Sequence, residues 1–231
     1  MIADNLHRVQ ARIQGACAQA GRSSGAVQLL AVSKTFPAEA VREAHGAGQC
    51  AFGENYIQEA VDKIAALADL RAQLQWHCIG PIQSNKTRLV AAHFDWAHTV
   101  DRLKIAQRLS EQRPDSLAPL QVCIQVNVDG GATKSGLAPD EALALAREVA
   151  ALPRLRLRGL MCIPEPAPDF EAACAVFARA GALFDALNRE GLGLDTLSMG
   201  MSADLEAAIA SGSTLVRVGT AIFGGRHYPA G

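Results

Sequence analysis

The chain has almost no net charge. Its 231 residues carry 22 Lys and Arg against 23 Asp and Glu, a balance of -1. This removes the electrostatic footprint expected of a protein that binds nucleic acid or an anionic membrane, while a small anionic ligand can still be held locally. No segment approaches the roughly 20 apolar residues that span a bilayer. The first 21 residues include Asp4, Asn5, His7, Arg8, Gln10 and Arg12, so they lack the apolar stretch of a signal peptide. No CxxC, GxSxG or GxGxxG occurs, and no pair of histidines or cysteines has metal-ligand spacing. There is no Pro/Gly/Ser-rich linker, charge run or low-complexity segment to mark a domain boundary. The six cysteines (Cys17, Cys50, Cys78, Cys123, Cys162, Cys174) are widely spaced, and four lie in apolar runs. They are expected to be reduced, buried and structural, in a cytoplasmic protein.

What remains is an ordinary globular composition, 49% hydrophobic and 19% charged, which excludes disorder. The expectation is one domain over residues 1–231, long enough to bury a core without staples. Short apolar runs at 27–33, 50–53, 75–80, 95–100, 120–127, 157–163, 196–199 and 214–219 read as eight strands. Most are continuously apolar, as suits parallel strands covered on both faces.

Helical patterns lie between the runs, at 37–46, 56–74, 86–93, 101–109, 139–152, 169–191 and 202–210. One more, carrying Leu6, Val9 and Ile13, precedes the first strand. Asp101, Asp169 and Ser202 are the expected caps of three of these helices. The alternation predicts an α/β fold: a single TIM-type (β/α)8 barrel with an extra N-terminal helix. An open doubly wound sheet is the runner-up.

In a barrel the chemistry sits just past the C-terminal ends of the strands. Lys34 ends the first run; desolvation there lowers an ammonium pKa and makes the amine a nucleophile toward an aldehyde. A lysine snorkelling from a strand end reads the same way. Of the five lysines, Lys63 and Lys104 fall on helical segments, while Lys86 and Lys134 are rivals in loops.

The last run carries Arg217, ends at Gly219 and is followed by Thr220. Here glycine amides and a hydroxyl suit a phosphate, as do Ser198 and Ser202 after the seventh run. Glycine turns with capping serines are the plainer alternative. Asn55 either contacts a ring hydroxyl or satisfies a turn, and His77 reads as a satisfied core histidine. A strand-end lysine together with phosphate-type loops suggests one ligand with an aldehyde and a phosphate, namely pyridoxal 5′-phosphate (PLP).

These segments resemble the YggS/PROSC-type PLP homeostasis family, single-domain relatives of the alanine racemase N-terminal barrel. The similarity rests on Ala31-Val32-Ser33-Lys34-Thr35, Phe52-Gly53-Glu54-Asn55-Tyr56, Trp76-His77-Cys78-Ile79-Gly80-Pro81, Gly159-Leu160-Met161, residues 197–202 and Val216-Arg217-Val218-Gly219-Thr220. By matching motif, the resemblance implies an internal aldimine on Lys34 and Arg217 facing the pyridine nitrogen. It implies phosphate contacts from Gly219 and Thr220 with Ser198 or Ser202, and Asn55 near the ring. Cys78 and Cys162 stand where the family usually has Phe and Ala, which alters packing. Gly130 and Gly131 replace a more polar loop, which bears only on Lys134.

The family's members are cofactor carriers or homeostasis factors without an established reaction, so the implied role is a PLP carrier or buffer, with apo PLP-dependent enzymes as acceptors. Arg217 cannot accept a proton, which keeps the pyridine nitrogen unprotonated and the electron sink weak. The alternatives are a low-activity PLP-dependent racemase and a Schiff-base aldolase using Lys34 directly. A two-base racemase would need a second acid/base tyrosine, and neither Tyr56 nor Tyr228 is an obvious one. The chain is expected to be a monomer.

Overall fold

The computed structural model describes residues 1–131 and 135–225. Lys134 and Tyr228 lie outside them. The eight strands are β1 (Gln28–Val32), β2 (Ala51–Glu54), β3 (Gln75–Cys78), β4 (Trp96–Val100), β5 (Leu120–Gln125), β6 (Leu155–Met161), β7 (Thr196–Ser198) and β8 (Leu215–Val218). They close into a barrel in chain order, β8 returning to β1, with every pair parallel. Parallel neighbours require crossovers. These are α2 (Ala38–Gly46), α3 (Ile57–Ala66), α4 (Thr87–His93), α5 (Leu103–Gln112), α6 (Ala142–Ala150), α7 (Phe170–Arg189) and α8 (Leu205–Ala210). The (β/α)8 reading is correct.

Alternation along β1 divides the core. Leu29 and Ala31 join the large cluster beneath the helices, whereas Leu30 and Val32 join a separate one with Ala51, Ile79 and Leu215. Successive strand residues face opposite sides, so the second cluster fills the barrel. The extra N-terminal helix, α1 (Ile2–Gln19), buries Leu6, Val9, Ile13 and Cys17 at helical spacing. It packs on α2, α8 and the short α9 (Thr220–Phe223). Asn5 Nδ2 donates to the Ile222 carbonyl at 2.9 Å, and Arg12 pairs with Glu206 at 2.5 Å. The helix thereby fastens the loops that follow β7 and β8.

Several expectations need correction. Asp169 caps α7, accepting from the Ala172 amide at 2.8 Å, but Ser202 does not cap α8. That helix begins at Leu205 behind Asp204, whose carboxylate instead accepts from the Met201 amide at 2.7 Å. Asp101 does not cap α5, which begins at Leu103 behind Arg102. The segment 56–74 is not one helix: α3 ends at Ala66 and a short 3-10 turn, Ala68–Leu70, follows. Cys50 is exposed just before β2, because the strand starts one residue later than its apolar run. All six cysteines are unpaired.

Candidate functional site

Lys34 lies half-buried in the turn that ends β1. The Phe36 amide closes that turn on the Ser33 carbonyl at 3.1 Å, and Thr35 adopts φ 68°. A left-handed threonine is strained, because its branched side chain crowds the backbone there. Strain of this kind persists only where surroundings over-determine the conformation. They do so here. The Thr35 amide donates to Glu59 Oε1 at 2.7 Å, while the Ser33 carbonyl accepts from Lys63 Nζ at 2.9 Å. Both of those side chains come from α3.

Lys63 is buried, and its three ammonium protons have three acceptors. Besides the Ser33 carbonyl they reach Glu54 Oε1 at 2.6 Å and Glu59 Oε1 at 3.1 Å. Ser33 Oγ donates to the same Glu54 oxygen at 2.6 Å. Burial pushes the Glu54 carboxyl above its ordinary range, a shift that Lys63 and Ser33 offset only in part. Neither Glu54 nor Lys63 stood out in the sequence. The legible signal was the Glu59–Lys63 spacing of four, a helical ion-pair distance.

Arg217 arises from β8, beside Leu30 of β1, and points into the barrel. Its Nη1 donates to Ser198 Oγ at 2.7 Å and its Nη2 to the Cys162 carbonyl at 2.9 Å. Among the described residues no carboxylate lies within ion-pair distance of it. Ser198 Oγ is 3.0 Å from His98 Nδ1, and His98 Nε2 is 2.9 Å from His77 Nδ1. The His77 ring stacks on Trp96, centroids 5.0 Å apart.

Arginine is a donor only, so Ser198 Oγ accepts from it; the direction of the Ser198–His98 and His98–His77 bonds is set by the histidine tautomers, and either sense links the chain. His77 Nε2 then ends the chain, without a partner among the described residues. Burial lowers the His77 pKa to about 3 and holds that of His98 well below the ordinary 6.5, so both rings are neutral. His77 is thus a core histidine, though only half satisfied. Ser198 is committed inward, to Arg217 and His98, and His98 went unnoticed inside a strand.

The remaining candidate residues follow the other strands, and those after β8 adjoin the lysine turn. Gly219 lies beside Val32, where an added Cβ would stand 3.2 Å from the Val32 carbonyl oxygen. Thr220 follows at the start of α9, where the first amides have no acceptor within the helix. Phe223 of α9 stacks on Phe36 of the lysine turn, at 5.2 Å between centroids. Ser202 is half-buried in the β7–α8 loop, its carbonyl held by Arg12 Nη2 at 2.7 Å. Asn55 follows β2 with its Oδ1 buried and unpartnered. It faces a cavity of about 170 Å³ at the barrel mouth, shared with Ile79, Thr99, Asp101, Arg102 and Gln125. Only glycine fits at the adjoining Gly80, because a Cβ there would lie 2.3 Å from the Asn55 carbonyl oxygen.

The arrangement offers an amine, a buried cation that holds hydrogen-bond acceptors, and a rim of hydroxyls and amides. Among the described residues no group of three or more His, Cys, Asp or Glu is placed to hold a metal, and no helix is long and apolar enough to cross a membrane.

Residues 5–227 match the family described as alanine racemase, N-terminal domain. The pyridoxal phosphate homeostasis protein of Pseudomonas aeruginosa is 64% identical over 229 residues, covering 99% of this chain and 97% of the relative. Its namesake in Escherichia coli K12 is 54% identical over 228 residues, covering 98% of this chain and 97% of the relative. PipY of Synechococcus elongatus PCC7942, solved with PLP bound, superposes at TM-score 0.84 and 38% identity, over 96% of this chain and 100% of PipY. Alanine racemase of Clostridium difficile 630 has the same fold at TM-score 0.73 and 17% identity, over 98% of this chain and 58% of the racemase.

Proposed function

The chain belongs to the alanine racemase N-terminal domain family, and from that premise we propose that it binds PLP at the barrel mouth and serves PLP homeostasis as a carrier or buffer. The single observation that carries the reading is Arg217. A buried guanidinium without a carboxylate is costly unless an electron-rich ligand accepts its protons, and it stands in the barrel that ends at the Lys34 turn. The unpartnered Asn55 Oδ1 is a second polar atom left for a ligand. Relatives named for PLP homeostasis and a neighbour solved with PLP bound point the same way.

When bound, PLP supplies an aldehyde whose carbon takes up an amine with loss of water, a phosphate and an aromatic nitrogen. Lys34 provides the amine. Gly219, Thr220 and Ser202 hold the phosphate through amides and hydroxyls. Arg217, always protonated, donates toward the ring nitrogen and keeps it without a proton. Ser198 acts beneath it, orienting the guanidinium rather than touching the phosphate. Asn55 lies beside the ring. We further propose that the protein works in the cytoplasm as a monomer that delivers its cofactor to apo PLP-dependent enzymes.

The test is the absorption spectrum of the purified protein with PLP, before and after borohydride, followed by peptide mass mapping. A visible band that bleaches and leaves a pyridoxyl mass on Lys34 is the expected result; no band overturns the reading. Thr220→Ala should weaken PLP binding by about 1.5–3 kcal/mol, the value of a hydrogen bond to a charged group, as titration calorimetry would read. Unchanged affinity would place the phosphate elsewhere. Carrier function is read as transfer to an apo-enzyme faster than from free PLP.

A further inference from the structure

Lys34 is gripped through its backbone, from a helix outside the barrel. Ser33 and Thr35, the residues on either side of it, are both held by α3. Lys63 Nζ takes the Ser33 carbonyl at 2.9 Å, and Glu59 Oε1 takes the Thr35 amide at 2.7 Å. Lys63 and Glu59 are joined at 3.1 Å, so the two contacts form one bracket. Glu54, at the end of β2, anchors the bracket through its own 2.6 Å bond to Lys63. Between these fixed points the chain accepts a left-handed threonine, a conformation that glycine takes far more readily.

A bracket that only stabilised the fold would not need to hold both peptide units around one lysine against local strain. We infer that Lys63 and Glu59 are positioning residues for Lys34: together they set the direction from which its amine meets an incoming aldehyde. The inference rests on the reading of Lys34 as the attachment site. It assigns α3 a part in cofactor capture that neither residue would show by touching the cofactor. Small displacements of a reacting group carry large rate penalties, so an aim set by the backbone is visible in kinetics.

The experiment follows the rate at which the full-length protein attaches PLP, by stopped-flow absorbance and borohydride mapping. Alongside it, equilibrium binding of pyridoxine 5′-phosphate reports the phosphate and ring contacts alone, since that molecule has no aldehyde. Glu59→Ala removes the Thr35 acceptor from a partly exposed position and leaves the Lys63–Glu54 pair in place. Lys63→Met with Glu54→Gln removes the buried charges together, so that neither is stranded.

Both variants should attach PLP at Lys34 roughly tenfold more slowly while binding pyridoxine 5′-phosphate as the wild type does. Glu59→Gln keeps an oxygen for the Thr35 amide and should restore the rate. Wild-type attachment rates in Glu59→Ala overturn the inference. So does a slow rate matched by an equal loss of pyridoxine 5′-phosphate affinity, which reports a general collapse of the mouth. If the wild-type protein itself carries no label on Lys34, it is the reading of the site that fails.

Discussion

Two buried polar networks flank the barrel mouth, and they solve the same problem by different means. At the ends of β1 and β2, Glu54, Lys63, Glu59 and Ser33 form a charged cluster reaching outward to α3. Inside the barrel, Arg217, Ser198, His98 and His77 form a chain with one charge and three neutral members. The first balances its cation with carboxylates and satisfies all three Lys63 protons, while its Glu54 Oε2 has no partner among the described residues. The second holds its cation with a hydroxyl and a carbonyl and ends in an unpartnered nitrogen. The difference lies in the counter-charge: the Lys63 cation is paired with carboxylates, whereas the Arg217 cation meets only neutral acceptors.

The comparison breaks most visibly at Lys63. Lys63→Met alone strands the Glu54 carboxylate in the interior and should cost about 3–5 kcal/mol of stability in urea unfolding. Adding Glu54→Gln should return most of it. Ser198→Ala should cost about 1.5–3 kcal/mol, because Arg217 loses a neutral acceptor for a charged donor. Bound PLP should offset part of that loss, whereas it should offset little of the Lys63→Met loss. Equal rescue of both variants would erase the distinction.

Acid distinguishes the two networks in a gentler way. His77 and His98 stay neutral in the folded protein, their pKa values pushed down by burial, to about 3 for His77. The unfolded chain takes up protons on both near pH 6.5, so stability is complete above that value and falls as the pH drops toward 3. His77 should cost about 2 kcal/mol between pH 8 and pH 5, and His98, shifted the same way, adds to the loss. His77→Gln should make this slope shallower in thermal melts. Glu54 runs the opposite way. Its folded pKa is raised, so its own contribution weakens as the pH rises past the unfolded value. A flat acid limb in His77→Gln would implicate both rings as one titrating unit.

The fold was legible because barrel strands announce themselves. Continuous apolar runs located all eight, including Thr196–Ser198 and Leu215–Val218, each within two residues of the observed ends. The expected caps show where local rules stop. Asp169 precedes a 20-residue helix and caps it as read. Ser202 and Asp101 stand in loops at the mouth, where the chain takes another route into its helix. Of the proposed site residues, Lys34, Asn55, Gly219 and Thr220 were readable as candidates because each ends or follows an apolar run, and Arg217 because it is the one charge inside its run. Lys63 was not, since a lysine on an amphipathic helix ordinarily faces water. His98 was hidden by its neighbours in Trp96–Val100, a run that reads simply as strand.

The sequence by itself determined the alternation of strands and helices, the strand-end lysine and the amide-rich loops, because period, turn residues and short-range spacing are written along the chain. The tertiary structure alone decided which polar residues met. Lys63 lies 30 positions from Ser33, and His98 lies 100 from Ser198. Barrel closure brings such residues within hydrogen-bond distance, and burial then determines which of them carry charge.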